Sequence, residues 1–363
     1  MNVVKRIGLI GVLASTIIGA GIFSLPFVFN EIGVVNGILF LIFFTVVYTA
    51  IHMMYATLVI KNPGMEFGSI AKKYLGSIGG VIQWLMVGEL LLVCLAYLIL
   101  APEFFLVLFG GNYWVYVVCF WFLGVLGMLL PMKGIEISET IGLISIFGLI
   151  SIVGFYGFLY GSSTLINKEI TTYSQFFLPF GPLLFAFSGR PSIKKIVDAL
   201  KEKEKKDVYS IIAWGTGIPA VLYGIYTLGM LRMYIASDGI IGTISNFPWI
   251  IPSALAVLGV VVLWTSYFIV GINVKDILVY DARFKKRIAF LIASLVPLFL
   301  SFLGIRDFIG VISFIGGVFL ALEGIFIVFM WWKQSQKNIY FFLSVFVFLV
   351  FCAALIQEII LFI

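Results

Sequence analysis

Charged side chains are scarce in this chain: Asp, Glu, Lys and Arg make up 11% of its 363 residues, beside one histidine and three cysteines. Each shortage excludes something. With His52 as the only histidine and no clustering of Cys, Asp or Glu at ligand spacing, a transition-metal centre is not expected. Cys94, Cys119 and Cys352 each fall inside an apolar run, which fits packing and offers no disulfide framework. No phosphate-cradling P-loop is present, so ATP-driven work within this chain is excluded, and the inventory as a whole speaks against an enzyme.

What fills the chain instead is apolar. Hydrophobic residues make up 62% of it, and the mean hydropathy of +1.17 is beyond what a water-soluble domain of this length shows. The composition predicts an all-α, polytopic membrane protein. Cutting at polar and turn-rich stretches gives eleven candidate spans: 7–29, 34–60, 77–109, 113–132, 134–161, 178–200, 207–234, 248–275, 288–304, 306–332 and 338–362. The first follows Lys5-Arg6 as a signal peptide would, but it is longer than a signal's apolar core and no small-residue cleavage site follows it. The run 77–109 is long for one crossing, so it is expected to tilt or protrude.

Lysine and arginine set the orientation. With a cytoplasmic N-terminus, nineteen of the 23 basic residues fall on the inner side. Lys168, Arg232 and Arg306 stay outside, and Arg190 lies at membrane depth. The positive-inside rule therefore predicts a multi-pass protein of the cell (plasma) membrane, N-terminus cytoplasmic and C-terminus outside. The same bias explains the net charge of +6, so no nucleic-acid partner is expected; the basic loops face the lipid bilayer. After the sixth span Ile193, Ile196, Val197 and Leu200 recur at helical spacing among lysines, which predicts an amphipathic cytoplasmic extension.

The organising stretch is TIIGAGIFSLPFVFN, residues 16–30, with Gly19-Ala20-Gly21 at its centre. Each glycine costs about 1 kcal/mol in a helix relative to Ala. In lipid an interrupted helix is tolerated only where the freed backbone lines a protein cavity; small residues also serve close helix packing. Span six is interrupted as well, by Ser188-Gly189-Arg190-Pro191-Ser192. Gly189 suits a left-handed residue closing one half-helix, and Pro191 suits the first turn of the next. Paired interruptions in two halves of a chain point to a transporter's binding site. The second half of span one, beginning near Ile22, presents free N–H groups that suit a carboxylate. The first half of span six ends near Phe187 with unpaired carbonyls that suit an ammonium. A zwitterion fits between them, although an amine or a carboxylic acid alone uses half of that pattern. Phe23, Phe185 and Phe187 bracket the gap as candidate walls.

The strings IIGAGIFSLPF in span one, PFGPLLFAFSGRPSI in span six and WTSYFIVGINVKD in span eight resemble the amino acid/auxin permease family, including its hydroxy- and aromatic amino acid permeases, within the amino acid–polyamine–organocation superfamily. The loop GSIAKKYLGSIGG after span two agrees, and the resemblance covers roughly the first 280 residues. It implies a LeuT-type 5+5 inverted repeat in a single transmembrane domain, with repeat one at about 7–161, repeat two at about 178–332 and a peripheral helix at 338–362. It further implies that Gly19, Ala20 and Gly21 hold the substrate carboxylate, and that Thr265 and Ser266 stand where sodium-coupled relatives bind the ion against span one near Ile18. Arg190 departs from that pattern, and no lysine lies in span five, where some proton-driven relatives replace the cation.

Ionisable groups in a membrane are functional candidates by default, because burying one costs about 2.5–3.5 kcal/mol or more. Here they are Glu89 on span three, Glu323 on span ten, Arg190 and His52. Either acid can carry a coupled proton or neutralise Arg190, and the sequence does not pair them. The expected function is a secondary active amino acid permease, an ion-coupled symporter with its substrate site at Gly19, Ala20, Gly21, Ile22, Phe23, Ala186, Phe187, Ser188, Gly189 and Arg190. Coupling candidates are Ile18, Thr265, Ser266, Glu89 and Glu323. No cofactor is expected beyond a coupled proton or sodium ion. The alternative is an amino-acid-sensing receptor subunit on a transporter scaffold, such as a spore germinant receptor component.

Overall fold

Two glycine-rich interruptions and the apolar runs around them dictate the local structure. The computed structural model describes residues 2–161, 165, 168–233, 248–334 and 341–362, and these form helices without a strand. Positions 234 and 338–340, at the ends of two expected spans, lie outside the described residues.

Helix α1, Val3–Ile17, starts at Asn2, whose side chain accepts from the Val4 N–H at 3.2 Å. After a 3-10 turn over Ala20–Ser24, α2 runs over Leu25–Ile32 with Pro26 in its first turn, where a missing N–H costs nothing. The two segments bend by 50°. Gly33, with φ +85°, ends α2, and a Cβ there would strike the Lys168 backbone. Next come α3 (Val34–Lys61), the amphipathic α4 (Phe67–Leu75), α5 (Ile78–Phe109), α6 (Tyr113–Gly127), α7 (Met132–Tyr160) and the short α8 (Tyr173–Phe177). Helix α5 has 32 residues, or about 48 Å at 1.5 Å per residue, longer than the roughly 30 Å hydrocarbon layer.

The sixth expected span is two pieces, α9 (Phe180–Ala186) and α10 (Arg190–Ala199). Pro191 sits in the first turn of α10 as expected, but Gly189 does not take the left-handed conformation: its φ is −141°. Space explains this glycine instead, since a Cβ would lie 2.7 Å from Ile17 Cγ1 and 3.0 Å from Leu13 Cδ1. Helix α10 buries Ile193, Ile196 and Val197 and turns its lysines outward. A 3-10 turn at Glu202–Asp207 leads to α11 (Val208–Met233). Then follow α12 (Ile250–Asp276), which widens into a π turn at Ile277–Asp281, α13 (Lys286–Phe302), α14 (Phe308–Phe314), a π segment Ile315–Leu320, α15 (Ala321–Gln334) and α16 (Phe341–Phe362).

Among the described residues seven helical segments are long and apolar enough to cross a membrane, one of them α14, the π segment and α15 taken together, and the bent α1–α2 pair adds an eighth. Helix α6, with 15 residues, is shorter than the 113–132 expected because it ends at Gly127. Helices α5, α7 and α12 pack together as a scaffold, and α11 joins α7 to α1. Small residues set these approaches: Gly157 of α7 lies on the Gly229 backbone of α11, and Gly124 of α6 seats the Tyr267 ring of α12.

At one end of the bundle, Lys5 Nζ stands 2.6 Å from Glu204 Oε2, and Arg6 donates to the Ser210 hydroxyl. The hydrogen bond from Lys5, with the Lys201 backbone N–H behind it, holds the Glu204 carboxyl below the usual carboxylate range. A carboxyl depressed on folding supplies its tether above the unfolded pKa and loses it as the pH falls through the folded one. Hydrogen exchange at residues 3–8, corrected for intrinsic rates, is therefore expected to stay constant above the ordinary glutamate pKa of about 4.3 and to rise only below it. Glu204→Gln should show the faster exchange already at neutral pH. Equal exchange in both proteins would mean the pair does not hold α1.

Candidate functional site

The two interruptions meet. Helix α1 ends with the Ile18 N–H on the Ala14 carbonyl at 2.9 Å, and the chain re-enters helical geometry only at Ala20. The Ser24 hydroxyl ties the new turn by donating to the Gly21 carbonyl at 2.7 Å. On the other side the Phe187 N–H closes α9 on the Leu183 carbonyl, and the Ser192 hydroxyl donates to the Gly189 carbonyl at 2.9 Å. Between them Gly21 rests directly on Ala186: a Cβ added to Gly21 would lie 2.5 Å from Ala186 Cα and 2.9 Å from its Cβ. Such an approach needs glycine, because no real side chain fits in that gap.

The candidates Ile18, Ala20, Ile22, Phe23, Ala186 and Phe187 are all buried here, and Ser188 is half-buried. Phe187 lies stacked on Tyr48 with ring centroids 5.8 Å apart and meets Tyr223 edge-on at 5.6 Å. Phe23 packs edge-on against Phe104 at 5.3 Å and Tyr226 at 6.1 Å. Phe185 is only half-buried. Aromatic rings thus wall both breaks.

Buried backbone groups freed at a break need partners, and tyrosines supply them. The Tyr223 hydroxyl on α11 lies 2.7 Å from the Ile17 carbonyl and 2.7 Å from the Ala186 carbonyl, the last acceptors of both half-helices. Tyr48 on α3 donates to the Leu184 carbonyl. The Tyr97 hydroxyl on α5 is near Gly19, 4.0 Å from where a Cβ would stand, and interacts with Ser266. These tyrosines were not legible as site residues. Their only sequence signal is a hydroxyl inside an apolar run, and the chain has 16 tyrosines.

The buried charges form a second group alongside α10. Arg190 Nε and Glu323 Oε2 form an ion pair at 2.6 Å, both side chains 11% exposed, and the guanidinium lies 4.4 Å above the Phe67 ring of α4. The pairing left open by the sequence is thereby decided in favour of Glu323. Glu89, 7% exposed, shares with Glu323 the lining of a small cavity between α4, α5 and α15. Its volume of about 10 Å³ is near the room one water needs. His52 packs at the second break: its Nδ1 lies 3.3 Å from the Thr216 hydroxyl, and its Nε2 is buried without a partner among the described residues.

Thr265 and Ser266 do not act as a pair facing α1. The Thr265 hydroxyl donates to Val262 of its own helix at 3.0 Å and stands against Gly142 of α7, whereas Ser266 turns to Tyr97. Consecutive residues on a helix point about 100° apart, so they reach different neighbours. Ser266, through Tyr97, is the one directed towards Gly19.

The fold has counterparts among solved structures. The crystal structure of MhsT in complex with L-phenylalanine superposes with a TM-score of 0.65 at 15% identity, covering 98% of each chain. The Eremococcus coleocola manganese transporter, in complex with an aromatic bis-isothiourea compound, gives 0.65 at 15% identity over 98% of this chain and 85% of that one. A mutant of the same transporter reaches 0.68 at 16% identity, over 97% of this chain and 85% of that one. The chain has the fold of these LeuT-type transporters. No curated protein sequence matches it. The sequence profile described as transmembrane amino acid transporter protein matches residues 7–231, well over half of the chain. A multi-pass helical bundle whose two interrupted helices meet at a buried, tyrosine-served junction belongs, by that match, to the transmembrane amino acid transporter family.

Proposed function

We propose that this protein is a secondary active amino acid transporter working by alternating access. The observation that carries the reading is the junction of Gly21 with Ala186, where the turn that opens one half-helix meets the terminal carbonyls of two others, Ile17 and Ala186, bridged by the Tyr223 hydroxyl between aromatic walls. A carboxylate placed at the Ala20–Ser24 turn meets backbone donors, and an ammonium meets the Ile17 and Ala186 carbonyls. The L-phenylalanine held by MhsT is an α-amino acid of this kind. Eleven crossings, arranged as two inverted five-helix repeats at about 7–161 and 178–332 with α16 peripheral, fit this reading. In it, α1–α2 and α9–α10 rock against a scaffold that includes α5 and α12. The lysine-rich end at Lys5 and Lys194–Lys206 faces the cytoplasm, and the chain ends outside the cell membrane.

For coupling, the charge count favours a proton. One guanidinium serves two buried carboxylates, and Glu323 occupies it, which leaves Glu89 as the group to carry the proton. A sodium ion would instead need Thr265 and Ser266 to converge with the Ile18 carbonyl, and Thr265 is turned to α7. Uptake of labelled amino acids into proteoliposomes under separate proton and sodium gradients tests both. A pH gradient alone is expected to drive accumulation in wild type, and Glu89→Gln to lose that drive about 100-fold while still exchanging substrate across the membrane. Accumulation driven by sodium only, and removed by Thr265→Val with Ser266→Ala, would overturn the proton assignment. Binding without accumulation under any gradient would overturn the transport reading and favour an amino acid receptor.

A further inference from the structure

The Ile17 and Ala186 carbonyls at the two breaks are already taken. Tyr223 reaches them from α11, where its ring is fully buried and held edge-on against Phe187. Its single hydroxyl faces two carbonyl oxygens at 2.7 Å each, Ile17 at the end of α1 and Ala186 at the end of α9. One O–H has one proton to donate, so two acceptors at equal distance share it and neither is fully satisfied. An ammonium carries three donors and satisfies both.

We propose that Tyr223 is an internal competitor for the substrate: its hydroxyl strap across both half-helices must release the Ile17 and Ala186 carbonyls before the amino group of an α-amino acid can occupy them. This rests on the reading of the two breaks as the amino acid site. The consequence is specificity as well as gating. A ligand with an α-ammonium replaces a shared, half-satisfied hydrogen bond by two full charge-assisted ones. A carboxylic acid without the ammonium leaves the strap in place and the half-helices tied together. Tyr223 is thus a specificity-determining residue that discriminates amino acids from their deamino counterparts through the bond it gives up. The ring is expected to swing little, since Phe187 packs against it; the hydroxyl turns from the carbonyls and the half-helices separate from α11.

The test is titration calorimetry on the full chain in detergent, with the twenty standard amino acids and, for each binder, its deamino carboxylic acid. Tyr223→Phe keeps the ring and removes the competing hydroxyl. It is expected to bind the amino acid about fivefold more tightly, the equivalent of one net hydrogen bond no longer given up, and to gain less for the deamino acid. Unchanged or weaker amino acid binding by a folded Tyr223→Phe would overturn the proposal and mark Tyr223 as a structural tie or a direct substrate contact. Where that variant does not fold, 3-fluorotyrosine at position 223 keeps the hydroxyl. Its fluorine resonance should move when a bound amino acid is added and stay put with the deamino acid, and a resonance unmoved while calorimetry records amino acid binding would overturn the proposal. If wild type binds none of the twenty, the reading of the breaks as an amino acid site fails, and this inference with it.

Discussion

Gly21→Val is expected to abolish amino acid uptake, with a loss of at least about 100-fold that higher substrate concentration does not recover. A Cβ at this position falls 2.5 Å from Ala186 Cα, well inside contact distance. The neighbouring atom is backbone, not the tip of a flexible side chain, so α9 or the Ala20–Ser24 turn must move. The β-branched methyls of valine add to the overlap and restrict the local backbone further. Overpacking of this sort costs about 1–3 kcal/mol, which a large bundle survives. The variant should therefore insert and purify while its two half-helices are held apart and its backbone donors are displaced from the geometry a carboxylate needs. Gly11→Val is the control. Gly11 lies on the preceding half of the same broken span, and a Cβ there would meet nothing within 4 Å, so near-normal uptake is expected from it. Wild-type affinity of Gly21→Val by calorimetry would show that the substrate is not held at the junction.

The second large effect is expected at Arg190. Its pair with Glu323 lies at 2.6 Å with both side chains only 11% exposed. Removing one partner strands a largely buried charge, which costs about 3–5 kcal/mol. Arg190→Met should thus unfold at a markedly lower temperature in detergent, and Glu323→Met by a similar amount. The double variant should recover most of the loss, since a buried pair replaced by apolar side chains of similar size is often neutral or better. Uptake should not recover with it, because Arg190 opens α10 directly beside the second break and Glu323 lines the cavity shared with Glu89. Arg190→Lys belongs with the damaging variants: a lysine lacks the planar group that lies 4.4 Å over Phe67 while still reaching Glu323. A double variant that transports at the wild-type rate would mean the pair serves folding alone. Additive destabilisation with no coupling would mean the two residues do not interact in solution.

Much of the helical order was legible because it is local. A run of roughly 20 apolar residues becomes a helix in lipid whatever lies beside it, so the α3, α5, α7 and α11 bounds fall within a residue or two of those expected. The interruptions were legible for the same reason. Gly19, Gly21 and Pro191 act on their own backbone, through lost helix propensity and a missing N–H, and breaks stand at both places. Even there the reason can be non-local: Gly189 has an ordinary negative φ and is glycine because Ile17 and Leu13 press against it.

The sequence by itself determined that this is a membrane protein of long apolar helices, two of them broken by glycine and proline, with basic residues gathered at one end. Only the tertiary structure decided which groups meet. Arg190 pairs with Glu323, far along the chain, and not with Glu89; Thr265 turns to α7 and Ser266 to Tyr97; and Tyr223, one tyrosine among 16, ties both breaks. The physical reason lies in the solvent. A soluble helix marks its inner face with an apolar stripe, but in lipid the inner and outer faces are both apolar, so the pattern carries no record of how each helix is rotated about its axis. That rotation is set by close packing of small residues such as Gly142, Gly157 and Gly21 against particular partners, and those partners are defined only once the helices have assembled.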